Sequence, residues 1–91
     1  MEAAVASTIQ PTEKPMPHVI VKMHSGRSEQ LKAKLAQEVT RAVTSTLNLG
    51  EESVSVALED IAPNDWTERV YRPDILGKPE TIYKKPGYNP L

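Results

Sequence analysis

Hydrophobic and polar residues follow two different periods along the middle of the chain, and the first is typical of a β-strand. Residues 19–21, Val-Ile-Val, form a short β-branched run that continues as mixed sequence to His24. Pro17 precedes this run and Ser25 follows it, and both residue types are common at strand boundaries. We therefore predict a first strand that begins just after Pro17 and ends at about His24.

Apolar residues then recur every three or four positions, which is the period of an amphipathic α-helix. The stripe consists of Leu31, Leu35, Val39, Ala42, Val43 and Leu47. Ser28 offers an N-cap hydroxyl, and Glu29 lies in the first turn, where the helix dipole favours a carboxylate. Asn48 and Gly50 both tolerate the left-handed backbone that ends many helices. The spacing predicts a helix over about residues 29–47.

A second alternating pattern follows the predicted helix and indicates a second strand. Its apolar positions are Val54, Val56 and Leu58, separated by Ser55, Ala57 and Glu59. A strand, a long helix and a strand make a βαβ unit. The helical crossover returns the second strand parallel to the first, and we expect this crossover to be right-handed. One helix covers one face of a two-stranded sheet, which is not stable alone, so we expect a partner on the other face.

The two ends of the chain show no regular hydrophobic period. Residues 1–16 have the composition of a linker, and we expect an N-terminal extension that is disordered or removed. Residues 17–91 are the predicted folded domain. After the second strand, residues 66–71 can form about a turn and a half of helix before Pro73. The remainder is irregular, with room for a short helix around residues 80–83.

Composition and charge narrow the functional classes. The 91 residues include no cysteine, which excludes disulfides and thiolate zinc sites. Eleven basic against twelve acidic residues give a formal charge of -1, so no basic field attracts nucleic acid. No apolar run approaches the ~20 residues of a membrane span, and the start lacks a secretory or transit signature. We therefore expect a soluble cytoplasmic protein, and so small an aliphatic core favours an oligomer.

The two histidines do not suggest a metal site. His18 and His24 lie six positions apart on the predicted first strand, so they share a face but are too far apart for one ion. No cysteine or carboxylate cluster completes a ligand set beside either of them. We therefore expect no metal.

Several short motifs occur in an order that carries a family resemblance. They are Pro17-His18, Gly26-Arg27-Ser28, Ser53-Val54-Ser55-Val56, Trp66 and Lys84-Lys85-Pro86-Gly87-Tyr88. From Pro17 to about Tyr88 the chain resembles the 4-oxalocrotonate tautomerase family. It is most similar to the small dimeric bacterial members of the phenylpyruvate (enol-pyruvate) tautomerase type.

The resemblance implies both a fold and an activity. The fold is α+β, with a βαβ tautomerase protomer of parallel strands, one long crossover helix and an irregular C-terminal segment. Such protomers assemble as homo-oligomers, and the C-terminal motif favours a dimer over a hexamer. The implied activity is keto–enol tautomerisation of a small 2-oxo acid by an isomerase that needs no cofactor.

An N-terminal proline is the catalytic base of that family, and the resemblance assigns this role to Pro17. A terminal proline carries a secondary amine, and an apolar pocket or a nearby cation makes it a base near neutral pH. As written, Pro17 is internal, and its amide nitrogen has no lone pair to offer. Either residues 1–16 are an over-long start assignment or a cleaved leader and the isomerase begins at Pro17 after Met16, or the extension stays and proton transfer is lost.

The same resemblance implies three substrate-binding residues. Arg27 matches an arginine that holds the substrate carboxylate, and a guanidinium at a helix N-terminus offers paired donors to an anion. Trp66 matches an aromatic pocket wall. A solvated arginine and a core tryptophan are the plainer interpretations of these two residues. Ser55 stands where diacid-specific members carry a second arginine, which argues against a dicarboxylate substrate.

Other interpretations of these residues remain open. The second arginine, which Ser55 replaces, could be substituted by Arg69, Arg72, Lys84 or Lys85. A solvated surface position is the plainer interpretation of all four side chains. A dehalogenase or hydratase of the same fold would need a carboxylate to activate water, and Glu59 and Asp60 are the candidates. A retained N-terminal extension would instead leave a non-catalytic oligomeric binding protein.

Overall fold

The computed structural model describes residues 16–91, and its centre is a pair of parallel strands. Strand β1 spans His18–His24 and strand β2 spans Ser55–Ile61. They pair along their whole length, and the first residue of each lies opposite the first of the other. The predicted α+β class and parallel βαβ unit are confirmed. The predicted extension over residues 1–16 lies outside the described residues, apart from Met16.

The helix that crosses between the strands, α1, spans Glu29–Leu47, as the sequence predicted. The Ser28 hydroxyl accepts a hydrogen bond from the Leu31 N–H at 3.2 Å, which satisfies an otherwise unpaired donor of the first turn. Asn48 ends the helix in the left-handed conformation, with a φ of 58°. Gly50, the other predicted cap, adopts extended backbone instead. Local capping chemistry therefore sets both ends of the helix.

Helix α1 packs on one face of the sheet, which the side-chain contacts identify. Met23 of β1 lines a small cavity with Leu31 and Leu35 of the helix. Asp60, opposite Met23 in the sheet, accepts a hydrogen bond from Lys32 at 2.8 Å. Because side chains alternate along a strand, the neighbouring residues of β1 and β2 face the other side.

The apolar stripe of α1 is incompletely covered within one protomer. Val39 and Val43 are half-buried, whereas Leu31 is 57%, Leu35 36% and Leu47 55% exposed. Exposed leucines in a row on one helix are unusual for a protein that works as a monomer. This surface is suited to contact with another protein molecule.

A π-helical segment, Thr67–Leu76, covers part of the opposite face of the sheet. Lys22 of β1 forms an ion pair with Asp74 of this segment at 2.5 Å. The prediction that the helix stops before Pro73 is wrong. A proline ring disfavours a continuous helix, but contacts on both sides of it, from buried Tyr71 and paired Asp74, hold the segment together.

Gly77 ends the π-helical segment at a close approach of backbone to backbone. Its N–H donates a hydrogen bond to the Arg72 carbonyl at 2.8 Å. A Cβ atom at Gly77 would lie 2.7 Å from the Pro73 carbonyl oxygen, so only glycine fits without a shift. One 3-10 turn follows, Pro79–Thr81, close to the short helix predicted around residues 80–83.

The buried core is small. Among residues 16–91 only Ile61, Val70 and Tyr71 are buried, and they join the end of β2 to the π-helical segment. A core of this size contributes little to stability by itself, so association would add to it. None of the helices in this part of the chain is long and apolar enough to cross a membrane.

Lys32 links α1 to β2 through two carboxylates, and this affects its titration. Its ammonium lies 2.8 Å from Asp60 and 3.0 Å from Glu29. The hydrogen bond with Asp60, followed by that with Glu29, raises the pKa of Lys32 above its ordinary value of 10.5. The folded protein thus binds this proton more tightly than the unfolded chain does. The resulting stabilisation is complete below pH 10.5 and is lost as the pH rises through the higher folded pKa.

We therefore expect Lys32→Gln to lower the melting temperature near neutral pH. This difference should shrink once the pH exceeds 10.5, the ordinary pKa of a lysine. Lys34→Gln is the matched control, because Lys34 is an exposed lysine of the same helix without an ion pair among residues 16–91. Thermal melts of the three proteins across the alkaline range test this. An effect of Lys32→Gln that is as large at high pH as at neutral pH would contradict it.

Candidate active site

Pro17 and Ser55 lie side by side at the end of the sheet where both strands begin. The Pro17 carbonyl accepts a hydrogen bond from the Ser55 N–H at 3.2 Å. The Ser55 hydroxyl lies 2.6 Å from Nδ1 of His18, which is its neighbour across the strands. Ser55 therefore brings no positive charge to the surroundings of Pro17, and its hydroxyl is engaged by His18.

Arg27 and Trp66 lie together at the opposite end of the sheet, beyond the last residues of both strands. They line a cavity of about 480 Å³, a volume that suits a small organic acid. The other lining residues are Lys22, Met23, His24, Pro63, Thr67, Tyr88 and Pro90. The cavity thus combines basic groups with aromatic and apolar walls.

Two tight turns place Arg27 and Trp66. Gly26 has a φ of +118°, which glycine adopts far more readily than other residues, and it turns the chain from β1 towards Arg27. After β2, a 3-10 turn over Pro63–Asp65 begins with a proline, whose fixed φ suits a first helical position. That turn leads directly into Trp66.

The indole of Trp66 is contacted on two sides. Its Nε1–H donates a hydrogen bond to the Tyr88 hydroxyl at 3.0 Å. The His24 ring meets it edge to face, with ring centroids 4.9 Å apart and planes at 77°. Such edge-to-face pairs are favourable beyond the area that they bury. Trp66 is half-buried, so it forms a wall of the cavity and is not part of the buried core.

Arg27 is the basic group of the cavity that is best able to bind an anion. Lys22 is already paired with Asp74 at 2.5 Å, and the His24 ring packs against Trp66. Arg27 has no ion-pair partner among residues 16–91. An arginine in this position can bind a carboxylate through two parallel hydrogen bonds.

The C-terminal cations considered as substitutes for a second arginine do not line this cavity. Arg72 pairs with Glu68 at 2.8 Å, and Arg69 and Lys84 are exposed. Lys85 lines a different cavity, of about 350 Å³. Within one protomer none of these residues therefore adds a second cation to the cavity of Arg27 and Trp66.

Sequence reasoning predicted only Arg27 and Trp66 of the nine lining residues, and the missed ones include Lys22, His24 and Tyr88. Lys22 and His24 could have been found, because alternate residues of a strand share a face and both directly precede the Arg27 loop. Tyr88 offered no such signal, because its contact with Trp66 joins residues that are 22 positions apart.

The carboxylates that a hydratase or dehalogenase would need lie away from Pro17. Asp60 bonds to Lys32 on the helix-covered face, and Glu59 is exposed near the far end of β2. In the part of the chain that the structure describes, no three His, Cys, Asp or Glu side chains are grouped closely enough to hold a metal ion.

One protomer does not bring the four predicted site residues together. β1 contains seven residues, and a strand advances about 3.3 Å per residue, so its two ends are roughly 20 Å apart. Pro17 and Ser55 lie at one end, and Arg27 and Trp66 lie at the other. A small 2-oxo acid cannot reach both groups within the same protomer.

Comparison with known proteins identifies relatives along most of the chain. A family model described as "Tautomerase enzyme" matches residues 17–69. A "Probable tautomerase" from Xylella fastidiosa is 45% identical over 76 residues, covering 84% of this chain and 93% of that protein. Tautomerase PptA from Escherichia coli is 37% identical over 75 residues, covering 81% of this chain and 99% of that protein.

A solved structure shares the fold as well. It is a crystal structure from methicillin-resistant Staphylococcus aureus of a protein assigned as a 4-oxalocrotonate tautomerase. It is 37% identical to this chain, with a TM-score of 0.55, and the match covers 56% of this chain and 82% of that one. The match agrees with the parallel β1–β2 pair and its single long crossover helix.

Proposed function

The chain belongs to the tautomerase family, and we propose that it is a cofactor-independent keto–enol tautomerase of small 2-oxo acids whose general base is the amine of Pro17. This base exists only when Pro17 is the first residue. The observation that carries the proposal is that the family model begins at residue 17.

The chemistry requires a base that takes a proton from one atom and returns it to another. The secondary amine of a terminal proline can accept the enol hydroxyl proton and then deliver a proton to the neighbouring carbon. The carbonyl forms as the carbon–carbon double bond is lost, so atoms and charges balance without a cofactor. Pro17 is anchored for this by its carbonyl, which bonds to the Ser55 N–H at 3.2 Å.

Arg27 and Trp66 supply the binding part of the proposed site. The guanidinium holds the substrate carboxylate, and the indole covers the distal group of the substrate. Because these residues lie about 20 Å from Pro17 in one protomer, the proposal places Arg27 of the partner subunit beside Pro17. In a two-fold dimer with antiparallel strands, the beginning of one protomer's sheet lies next to the end of its partner's.

A direct assay tests the activity. Protein that begins at Pro17 should convert enolised phenylpyruvate to the keto form, and the loss of enol absorbance measures the rate. A metal chelator should leave this rate unchanged. Pro17→Ala in the same format is the control, because it replaces the secondary amine with a primary one. Equal rates for the two proteins would contradict the role of Pro17.

We expect the protein to be a dimer, because α1 exposes three leucines and Arg27 lies at the end of the sheet away from Pro17. Sedimentation at micromolar concentration should give about twice the mass of one chain. A monomer at that concentration would contradict the dimer, and a mass near six chains would indicate a hexamer.

Mixing two inactive variants tests whether the site is shared between subunits. Pro17→Ala and Arg27→Ala remove different halves of it, so each homodimer should be almost inactive. Unfolded together and refolded, they should regain about a quarter of the unsubstituted activity, because about half of the dimers are mixed and each has one intact site. No recovery would mean that both residues act within one protomer.

A further inference from the structure

Tyr88 connects the irregular C-terminal segment to the wall of the candidate site. Its hydroxyl accepts the hydrogen bond from Nε1 of Trp66 at 3.0 Å. Its ring packs on Tyr71, with centroids 5.7 Å apart and planes tilted by 47°. Tyr71 is only 6% exposed, so Tyr88, itself 47% exposed, packs against one of the few buried side chains of the described residues.

The position of Tyr88 between two cavities strengthens this connection. It lines the cavity of Arg27 and Trp66, and it also lines the second cavity with Tyr71 and Lys85. Rotation of its ring would therefore change the shape of the first cavity and remove the acceptor of the indole N–H.

Trp66 has one hydrogen-bond donor, and the contact with Tyr88 determines which way its ring faces. The indole Nε1–H is a donor only, so an oriented acceptor selects one rotamer among several. His24 packs on the ring edge to face, a contact that restricts the tilt of the ring but does not engage the indole N–H. Tyr88 is thus the contact that distinguishes one orientation of this wall from the others.

We propose that Tyr88 is a positioning residue: by accepting the indole N–H of Trp66, it holds the cavity wall flat against the substrate's distal group and so sets the preference for aromatic acids. The effect on turnover rests on the proposed function. The effect on Trp66 and on ligand binding does not.

The chain provides a built-in reporter and a matched control. Trp66 is the only tryptophan, so its fluorescence reports this wall alone. Tyr88→Phe removes the hydroxyl and keeps the ring that packs on Tyr71. Tyr83→Phe makes the same change in the same segment at a side chain that is 100% exposed. Both variants should melt within a few degrees of the unsubstituted protein.

The first measurement is acrylamide quenching of Trp66, with fluorescence anisotropy. In Tyr88→Phe we expect quenching to rise and anisotropy to fall, because the indole gains alternative orientations. Tyr83→Phe should match the unsubstituted protein. Unchanged Trp66 fluorescence in Tyr88→Phe would overturn the proposal, whatever the activity of the protein.

The second measurement is binding, which needs no turnover. Titration of phenylacetate, followed through Trp66 emission, should give a Kd about three- to tenfold weaker in Tyr88→Phe, the range expected for one lost hydrogen bond. The Kd of acetate, which lacks the ring, is measured by competition with phenylacetate and should change less than about twofold. An equal loss for both acids, or none for either, would overturn the role in selectivity.

Kinetics then connects the residue to the proposed function. With an aromatic 2-oxo acid, Tyr88→Phe should raise KM and leave kcat unchanged, because a positioned wall acts on binding and not on the proton. In a Trp66→Phe background, which lacks the indole N–H, the same change at Tyr88 should have no further effect. If the protein binds phenylacetate as expected but shows no turnover, the proposed function fails and the positioning role stands.

Discussion

Protein that begins at Pro17 is expected to tautomerise enolised 2-oxo acids about a hundred- to ten-thousandfold faster than the 91-residue chain, the range that general-base catalysis supplies. The reason is the electronic state of a single nitrogen. Within the longer chain the Pro17 nitrogen belongs to an amide, whose lone pair is delocalised into the carbonyl. At a chain start the same nitrogen is a basic secondary amine.

Two controls separate the amine from the other effects of shortening the chain. A chain that begins at Met16 is shorter by nearly the same amount but keeps the Pro17 nitrogen in an amide, so it should be as slow as the full chain. Pro17→Ala in the short format should retain the fold and lose most of the rate. Stopped assays on the four proteins, at equal concentration and pH, test this. Comparable rates for the full and short chains would contradict the amine as the base, and rates that are low for both would favour the non-catalytic binding protein.

The elements that the sequence predicted correctly depend on local chemistry. Helix α1 begins and ends where Ser28 and Asn48 cap it, and capping involves only neighbouring residues. The strands were recognisable because the β-branched run over residues 19–21 and the alternation of Val54, Val56 and Leu58 both suit a pleated sheet. Residues within a few positions of one another were sufficient for these predictions.

The features that the sequence did not predict depend on tertiary contacts. The helix continues past Pro73 because Asp74 pairs with Lys22, which is 52 residues away. The apolar stripe of α1 predicted a face that packs on the sheet, but Leu31 and Leu35 remain 57% and 36% exposed within one protomer although they line a small cavity with Met23. The periodicity of a helix shows that a face is apolar, and it does not show which molecule covers that face.

The candidate site was partly predictable, because some of its residues are placed by local turns and others by tertiary contacts. Arg27 and Trp66 follow recognisable turns after the two strands, so their places could be inferred. Their separation from Pro17 follows from the strand direction: a parallel pair puts both strand starts at one end and both following loops at the other. The contact of Tyr88 with Trp66 required the folded C-terminal segment and had no sequence signal.

The charge of the cavity argues for a substrate with one carboxylate. Three basic side chains line the cavity. Lys22 pairs with Asp74, and His24 packs edge to face on Trp66. Arg27 has neither kind of partner among residues 16–91. Lys22 is neutralised by Asp74 at 2.5 Å, and Ser55 brings no charge to the Pro17 end. A second carboxylate would therefore leave water without gaining a cationic partner, which is unfavourable in a partly apolar cavity.

Aromatic monoacids such as enolised phenylpyruvate are therefore expected to react with a higher kcat/KM than dicarboxylates such as 2-hydroxymuconate. Arg27→Ala should lower kcat/KM for both by about ten- to a hundredfold, since losing a charge-assisted hydrogen bond costs about 1.5–3 kcal/mol. Arg41→Ala is the matched control, because Arg41 pairs with Glu38 on the exposed surface of α1 at 2.6 Å. Arg41→Ala should leave kcat/KM unchanged for both substrates. Assays of both substrates on protein that begins at Pro17 decide the question. A clear preference for the diacid would contradict the prediction and would indicate that a second cation, such as Lys22 released from Asp74, replaces the charge absent at Ser55.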